Sequence, residues 1–161
     1  MKKKICLTIP IYNNQNSIEI LYNRLRESLK KTNGIDYKFI FVDDDSSDNS
    51  RTMIKKICES DPNVTAIFLS KNFGQAAALC AGFHNSNGDY FGTIDGDLED
   101  PPEIVHDMMD HLKDDKFDII IAERITTKVN IFRKITSKIA NFIFRIFFKF
   151  TIGCQIPSFV V

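Results

Sequence analysis

Five short apolar runs recur along this chain, and the first four are each followed by a polar cluster and then a segment with helical spacing. The runs are residues 5–9, 39–42, 64–69, 90–94 and 117–122. Ile18, Leu21, Leu25 and Leu29 share one helical face, with Ser17 placed as its N-cap. Met53, Ile54, Ile57 and Cys58 form a second face, which Ser47 or Asp48 can cap. A third helix is the alanine-rich stretch 76–83, whose small residues suit tight packing on a sheet, and a fourth runs over 102–112. Punctuation falls where it is needed: Pro10 stops the first run, Asn33-Gly34 ends the first helix, Asp61-Pro62-Asn63 is a turn, and Asn87-Gly88-Asp89 closes the third helix. Strand and helix alternate with short connections and no internal repeat. That pattern specifies an α/β fold, a mostly parallel, doubly wound sheet with helices on both faces.

The polar clusters are placed systematically. Pro10-Ile11-Tyr12-Asn13, Asp43-Asp44-Asp45, Ser70-Lys71-Asn72, Asp95-Gly96-Asp97 and Glu123-Arg124 all follow apolar runs. In an open parallel sheet those ends share one edge, where ligands bind. The densest cluster is Asp95-Gly96-Asp97-Leu98-Glu99-Asp100-Pro101-Pro102-Glu103, in which the two prolines and Glu103 read as a helix start. An isolated Asp-x-Asp is more often a solvated loop, but carboxylates held this close repel unless something positive lies between them. A hard divalent cation together with a phosphate-bearing ligand meets that need. An EF-hand calcium loop fails: counted from Asp95, the sixth position is Asp100 and the twelfth His106, and counted from Asp43 they are Asp48 and Ile54. A phosphatase-type Asp-x-Asp belongs on a first strand, whereas this one follows the fourth. Neither glycine-rich phosphate cradle, G-x-G-x-x-G or G-x-x-x-x-G-K-[ST], is present, which leaves phosphate binding to a metal.

Composition narrows the classes. With 161 residues, 43% of them hydrophobic and 26% charged, the chain is a globular domain with a real core. The formal net charge of zero argues against a nucleic-acid partner. Acids dominate from residue 89 to 118, while every charged side chain from 124 to 149 is basic, so phosphates could be caught between an acid-held metal and a basic segment. Cys6, Cys58, Cys80 and Cys154 lack C-x-x-C spacing and read as reduced thiols of a cytosolic protein. His106 and His111, five apart, diverge on a helix. Lys2-Lys3-Lys4 is followed by too short an apolar run for a signal peptide. No segment reaches the roughly 18 apolar residues of a membrane span.

With these residues in place, the chain resembles the family-2 inverting glycosyltransferases of the GT-A nucleotide-sugar fold, and among them the polyprenyl-phosphate glycosyltransferases: dolichol-phosphate mannose synthases and undecaprenyl-phosphate glucosyltransferases. The resemblance rests on Ile9-Pro10-Ile11-Tyr12-Asn13, on 41–48, on 69–75, on Ala81-Gly82-Phe83, on Asn87-Gly88-Asp89 and on the Asp95 to Glu103 stretch, with Arg124, Arg133 and Ser137 following at plausible spacing. It implies that Pro10, Tyr12 and Asp43 line a base pocket, Asp43 accepting from an imide N–H such as that of uracil, with Asn14 and Asp45 as further nucleotide contacts. Asp95 would lie near the ribose and diphosphate. Asp97 and Glu99 would hold Mg²⁺ or Mn²⁺, and Arg124 and Arg133 would clamp phosphate oxygens. Gln75 is read as a cap of the following helix and is left outside the site.

The implied reaction moves a sugar from a nucleoside-diphosphate sugar, UDP-linked, to a polyprenyl phosphate, with inversion. Alternatives are a sugar hydroxyl acceptor in cell-surface polysaccharide synthesis, a nucleotide-sugar-binding module without turnover, and a phosphohydrolase using Asp95 as nucleophile. Two positions depart from the subgroup: Glu99 stands where glutamine is usual, and Asn14 where glutamate is common. The family's acceptor half normally continues for several more elements, so residues 131–161 read as the truncated start of an acceptor region, beyond a nucleotide-sugar domain at 1–130. Residues 131–150 are basic and rich in phenylalanine, with hydrophobics at 135, 139, 142, 143, 146 and 150 near one helical face. That suits packing against further chain, self-association, or a peripheral helix at the inner face of the cell membrane.

Overall fold

In the computed structural model, the described residues are 2–112 and 117–122. Four strands and four helices alternate: β1 (Lys3–Ile11), α1 (Ile18–Lys30), β2 (Ile35–Asp43), α2 (Ser50–Ser60), β3 (Val64–Phe68), α3 (Gln75–His84), β4 (Tyr90–Thr93) and α4 (Ile104–Leu112). The sheet order is β3-β2-β1-β4, and every pairing is parallel.

The order follows from chain geometry. From β1 the chain steps outward through α1 to β2 and through α2 to β3, then α3 carries it back across to the other side of β1. Right-handed crossovers that reverse direction must lie on the opposite face. The core shows this. Ile5, Leu7, Ile9, Phe39 and Phe41 point to the face covered by α1, α2 and α4, whereas Cys6, Ile40 and Val42 meet Ala78 and Ala81 of α3. Strand parity thus assigns alternate residues of β1 and β2 to two separate apolar layers. Gly82 lets α3 sit close to the sheet, because a Cβ there would lie 2.2 Å from Thr8 Cγ2.

Three expectations need correction. β1 runs through Pro10 to Ile11 instead of stopping at the proline. The carbonyls of Thr8 and Ile11 accept from Ile94 and Asp44 on opposite sides, so even positions of β1 face β4 and odd ones face β2. Pro10 therefore lacks an N–H only where the β4 ladder, which ends at Thr8 and Thr93, has already stopped. The second correction is that residues 117–122 form no strand. Phe117, Ile119 and Ile121 are exposed while Ile120 and Ala122 pack on the core, so the alternation records one-sided burial without a ladder. The third concerns the caps: Ser17 occupies the N-cap position of α1 without making a side-chain cap bond, and Asn49, in place of Ser47 or Asp48, stands at the N-cap of α2.

α1 and α4 are pinned together beside the sheet. Arg24 donates to both carboxylate oxygens of Glu103, at 2.8 and 2.6 Å, and Thr32 Oγ1 lies 2.7 Å from His106 Nδ1. Glu103 closes the acidic stretch, so this fork fixes where α4 starts relative to the sheet edge.

Candidate functional site

The reversal of strand order between β1 and β4 opens a crevice at their carboxyl ends. A cleft of about 380 Å³ lies there, lined by Pro10, Ile11, Tyr12, Asn14, Asp44, Asn72, Gly74, Gln75, Ala78, Asp95, Gly96 and Asp97. These residues come from the ends of β1, β2 and β4 and from the start of α3. The expected residues Pro10, Tyr12, Asn14, Asp95 and Asp97 are thereby brought together across more than 80 positions of sequence.

The loops around the cleft are tied to one another. Asn13 donates its N–H to Ser46 Oγ, and its Oδ1 accepts from the Ser47 N–H at 2.8 Å. The Asn14 N–H goes to Ser50 Oγ, the Gln15 N–H to Asp48 Oδ2, and Gln15 Oε1 accepts from the Asn49 N–H. Burial alone would raise the pKa of Asp48, but bonds from Ser50 and Gln15 outweigh it and hold the carboxyl below its ordinary value. Asn13 and Asp45 take positive φ of 56° and 62°, which short polar side chains tolerate. Leu98 at φ 64° is another matter, since a left-handed leucine is strained by roughly 1 kcal/mol.

Leu98 sits in the middle of the acidic turn. Asp97 Oδ1 accepts the Glu99 N–H at 2.9 Å, closing a side-chain turn around it. Gly96 packs with its Cα against β1: a Cβ would fall 2.5 Å from Ile11 Cδ1 and 3.0 Å from the Pro10 carbonyl. Gln75 Nε2 donates to Asp95 Oδ1 at 2.8 Å. Gln75 is therefore part of the site, whereas sequence reasoning assigned it to a helix cap; the N-cap position is Gly74. Glu99 does not line the cleft. Among the described residues no group of three His, Cys, Asp or Glu side chains is placed to hold a metal on its own.

Asp43 and Asp45 stand apart from the cleft lining. Asp43 is fully buried and accepts from Arg51 Nε at 2.6 Å, and Arg51 Nη2 reaches Asp45 Oδ1 at 3.2 Å and the Leu69 carbonyl at 2.8 Å. The bond to Asp43 raises the already high pKa of this guanidinium further. Asp44 takes the cleft-lining position instead, with both carboxylate oxygens accepting from the Phe73 and Gly74 N–H groups at 2.8 Å. Parity explains the exchange: successive residues leaving β2 point to opposite faces. Arg124, Arg133 and the segment 131–150 lie outside the described residues.

An acidic turn facing a proline-aromatic turn at the switch point of a parallel sheet narrows the candidates, and sequence comparison decides among them. The family model described as Glycosyl transferase family 2 matches residues 6–160. The chain belongs to this family.

Relatives in family 2 include the undecaprenyl-phosphate 4-deoxy-4-formamido-L-arabinose transferase of Yersinia pestis (strain Pestoides F), 35% identical over 140 residues that span 86% of this chain and 42% of that protein. The protein of the same name from Photorhabdus laumondii is 36% identical over the same shares. The chain thus spans about two fifths of the length of these relatives. Among solved structures, the mannosyltransferase PcManGT from Pyrobaculum calidifontis, in complex with GDP-Man and Mn²⁺, matches with a TM-score of 0.64 and 18% identity over 77% of this chain and 36% of that one. S. aureus TarS 1-349 in complex with UDP matches at 0.60, with 19% identity over 79% and 38%. These likenesses establish the GT-A fold for the family-2 chain.

Proposed function

We propose that this chain is the donor-binding and catalytic part of an inverting glycosyltransferase that moves a sugar from a UDP-linked donor to a polyprenyl phosphate at the membrane surface, with help from Mg²⁺ or Mn²⁺. The observation that carries the reading is the cleft at the β1–β4 switch point, where Asp95 and Asp97 face Pro10, Tyr12 and Asn14. The names of the family-2 relatives support an undecaprenyl-phosphate acceptor.

In this reading Pro10 and Tyr12 form the walls for the base, and Asp44, held by the Phe73 and Gly74 N–H groups, is the carboxylate that lines the cleft beside them. Asn14, whose Oδ1 accepts the Tyr12 N–H at 2.9 Å, holds that turn in shape. Asp97, with Glu99 two residues on, offers hard oxygen donors, and one or two carboxylates suffice when a diphosphate supplies the remaining oxygens. A cation held there would supply charge neutralisation for the departing diphosphate. Gln75 keeps Asp95 turned toward ribose and diphosphate, while Arg124 and Arg133 clamp phosphate oxygens. An acceptor phosphate oxygen forms the new bond to the anomeric carbon from the face opposite the diphosphate. The bond to the diphosphate breaks with its electron pair, and the configuration inverts. A phosphate acceptor is anionic at neutral pH, so no general base is required.

Calorimetric titration of UDP and of GDP, each with and without Mn²⁺, on the chain and on Asp97→Ala tests the donor site. Manganese-dependent UDP binding that weakens at least tenfold in the variant is expected, about 1.4 kcal/mol or more. Binding of neither nucleotide would sink the reading, and binding of GDP alone would change the base. Labelled-sugar transfer in detergent then tests the acceptor, with product on undecaprenyl phosphate expected and product on a glycan hydroxyl replacing that assignment.

A further inference from the structure

We infer that Ser17 is a positioning residue for the acidic turn: its hydroxyl holds the Gly96 carbonyl and so sets how Asp95 and Asp97 are presented to the donor diphosphate. The inference rests on the donor-site reading above.

Ser17 stands at the position where a serine ordinarily accepts a hydrogen bond from the first turn of its own helix. It makes no such bond. Its hydroxyl instead donates to the Gly96 carbonyl at 2.5 Å, across 79 residues of sequence, with the Asn14 carbonyl 3.0 Å away as a second acceptor. A hydroxyl has one proton, and the Asn14 carbonyl already accepts the N–H groups of Ser17 and Ile18 at 2.9 and 3.2 Å. Gly96 is therefore the acceptor that depends on Ser17. The contact is buried, so water does not readily replace it.

The Gly96 carbonyl belongs to the peptide that joins Gly96 to Asp97. A trans peptide is planar, so fixing its carbonyl toward α1 fixes the Asp97 N–H on the opposite side and with it the departure of the Asp97 side chain. Two other hydrogen bonds on the turn act at different atoms: Gln75 on the Asp95 carboxylate, and the Asp97 carboxylate on the Glu99 N–H. No Cβ at residue 96 braces this peptide, since the space beside it is filled by Ile11 and Pro10. Ser17 acts on the peptide between the two acids.

The test uses the 161-residue chain with Ser17→Gly, Ser17→Ala and Ser17→Thr. Glycine is a tolerated N-cap and keeps the helix start while removing the hydroxyl; threonine restores it. Titration of UDP is carried out in Mn²⁺ and again in EDTA, alongside hydrogen exchange of residues 95–99 without nucleotide. About tenfold weaker binding in Mn²⁺ is expected for Ser17→Gly and Ser17→Ala, with affinity in EDTA unchanged, faster exchange at 96–98, and recovery of both readouts in Ser17→Thr. Unchanged binding in Mn²⁺ for the glycine variant would overturn the inference, as would equal losses in Mn²⁺ and EDTA. Wild-type chain without manganese-dependent UDP binding would defeat the donor reading instead, and unchanged exchange in Ser17→Gly would then defeat the positioning of the turn as well.

Discussion

Asp43 and Arg51 show how one residue can be misplaced by reasoning from a motif and still matter. The resemblance puts Asp43 at the base, yet its buried carboxylate receives Arg51 Nε, and Arg51 in turn binds Asp45 and the Leu69 carbonyl. The guanidinium thereby joins the ends of β2 and β3. Breaking a buried ion pair leaves an uncompensated charge at a cost of about 3–5 kcal/mol, and this pair, whose arginine is 36% exposed, belongs at or below the low end. Arg51→Met is therefore expected to lower unfolding stability by about 2–3 kcal/mol in urea titration. Adding Asp43→Asn to it should recover a large part of that loss. A double variant as unstable as the sum of the singles would show that Arg51 acts through its other contacts.

At the scale of elements, the contact of α3 with β1 is set by glycine in a helix, a residue that propensity alone disfavours. Replacing Gly82 with alanine would improve helix propensity by up to about 1 kcal/mol. The new Cβ would fall 2.2 Å from Thr8 Cγ2, on a fully buried side chain of a central strand. Overpacking costs typically about 1–3 kcal/mol, so Gly82→Ala should be net destabilising by about 1–2 kcal/mol. The pair Gly82→Ala with Thr8→Ala removes both the methyl and the Oγ1 that lies 2.7 Å from the new Cβ, and should be closer to wild type in denaturant midpoint. Since α3 also carries Gln75 into the cleft, a shift of this helix should weaken nucleotide binding along with stability.

The whole molecule carries a pH signature at the end of the sheet away from the cleft. Tyr22 and Tyr37 both donate to Asp61 Oδ2, at 2.9 and 3.0 Å. Burial, and then the bond to Asp61, push the Tyr22 hydroxyl from its ordinary 10.0 up to about 12. A pKa raised on folding contributes stability that is complete below the unfolded value and is lost as pH climbs through the folded one. Stability should therefore fall between about pH 10 and 12, and Tyr22→Phe should be less stable at pH 8 by about 1.5–3 kcal/mol but decline less steeply above pH 10. For Asp61, burial acts upward, but the Asn63 N–H and the two tyrosines outweigh it and the net shift is downward. Its contribution is present above the unfolded carboxylate value and lost as acid protonates the folded form. Parallel slopes for wild type and Tyr22→Phe above pH 10 would remove the assignment.

Local patterning along the chain specifies the class of fold and the edge where the site lies. Strand and helix periodicities are local properties, and Ile18, Leu21, Leu25 and Leu29 all prove buried, as do Ile54 and Ile57. Because parallel strands place all their carboxyl ends together, the polar clusters after β1 and β4 had to meet, and Pro10, Tyr12, Asn14, Asp95 and Asp97 were legible for that reason. The tertiary structure decided what depends on partners distant in sequence. Among the described residues the apolar alternation of 117–122 forms no strand, while Pro10 stayed in one because the β4 ladder beside it had already ended. Face parity at the end of β2 exchanged Asp43 for Asp44 at the cleft. Ser17 and Gln75 read as local caps, since only the folded chain brings their long-range acceptors, Gly96 and Asp95, within reach. Hydrogen bonds of that range leave no periodicity in the sequence, because each joins two single residues whose spacing is set by the topology between them.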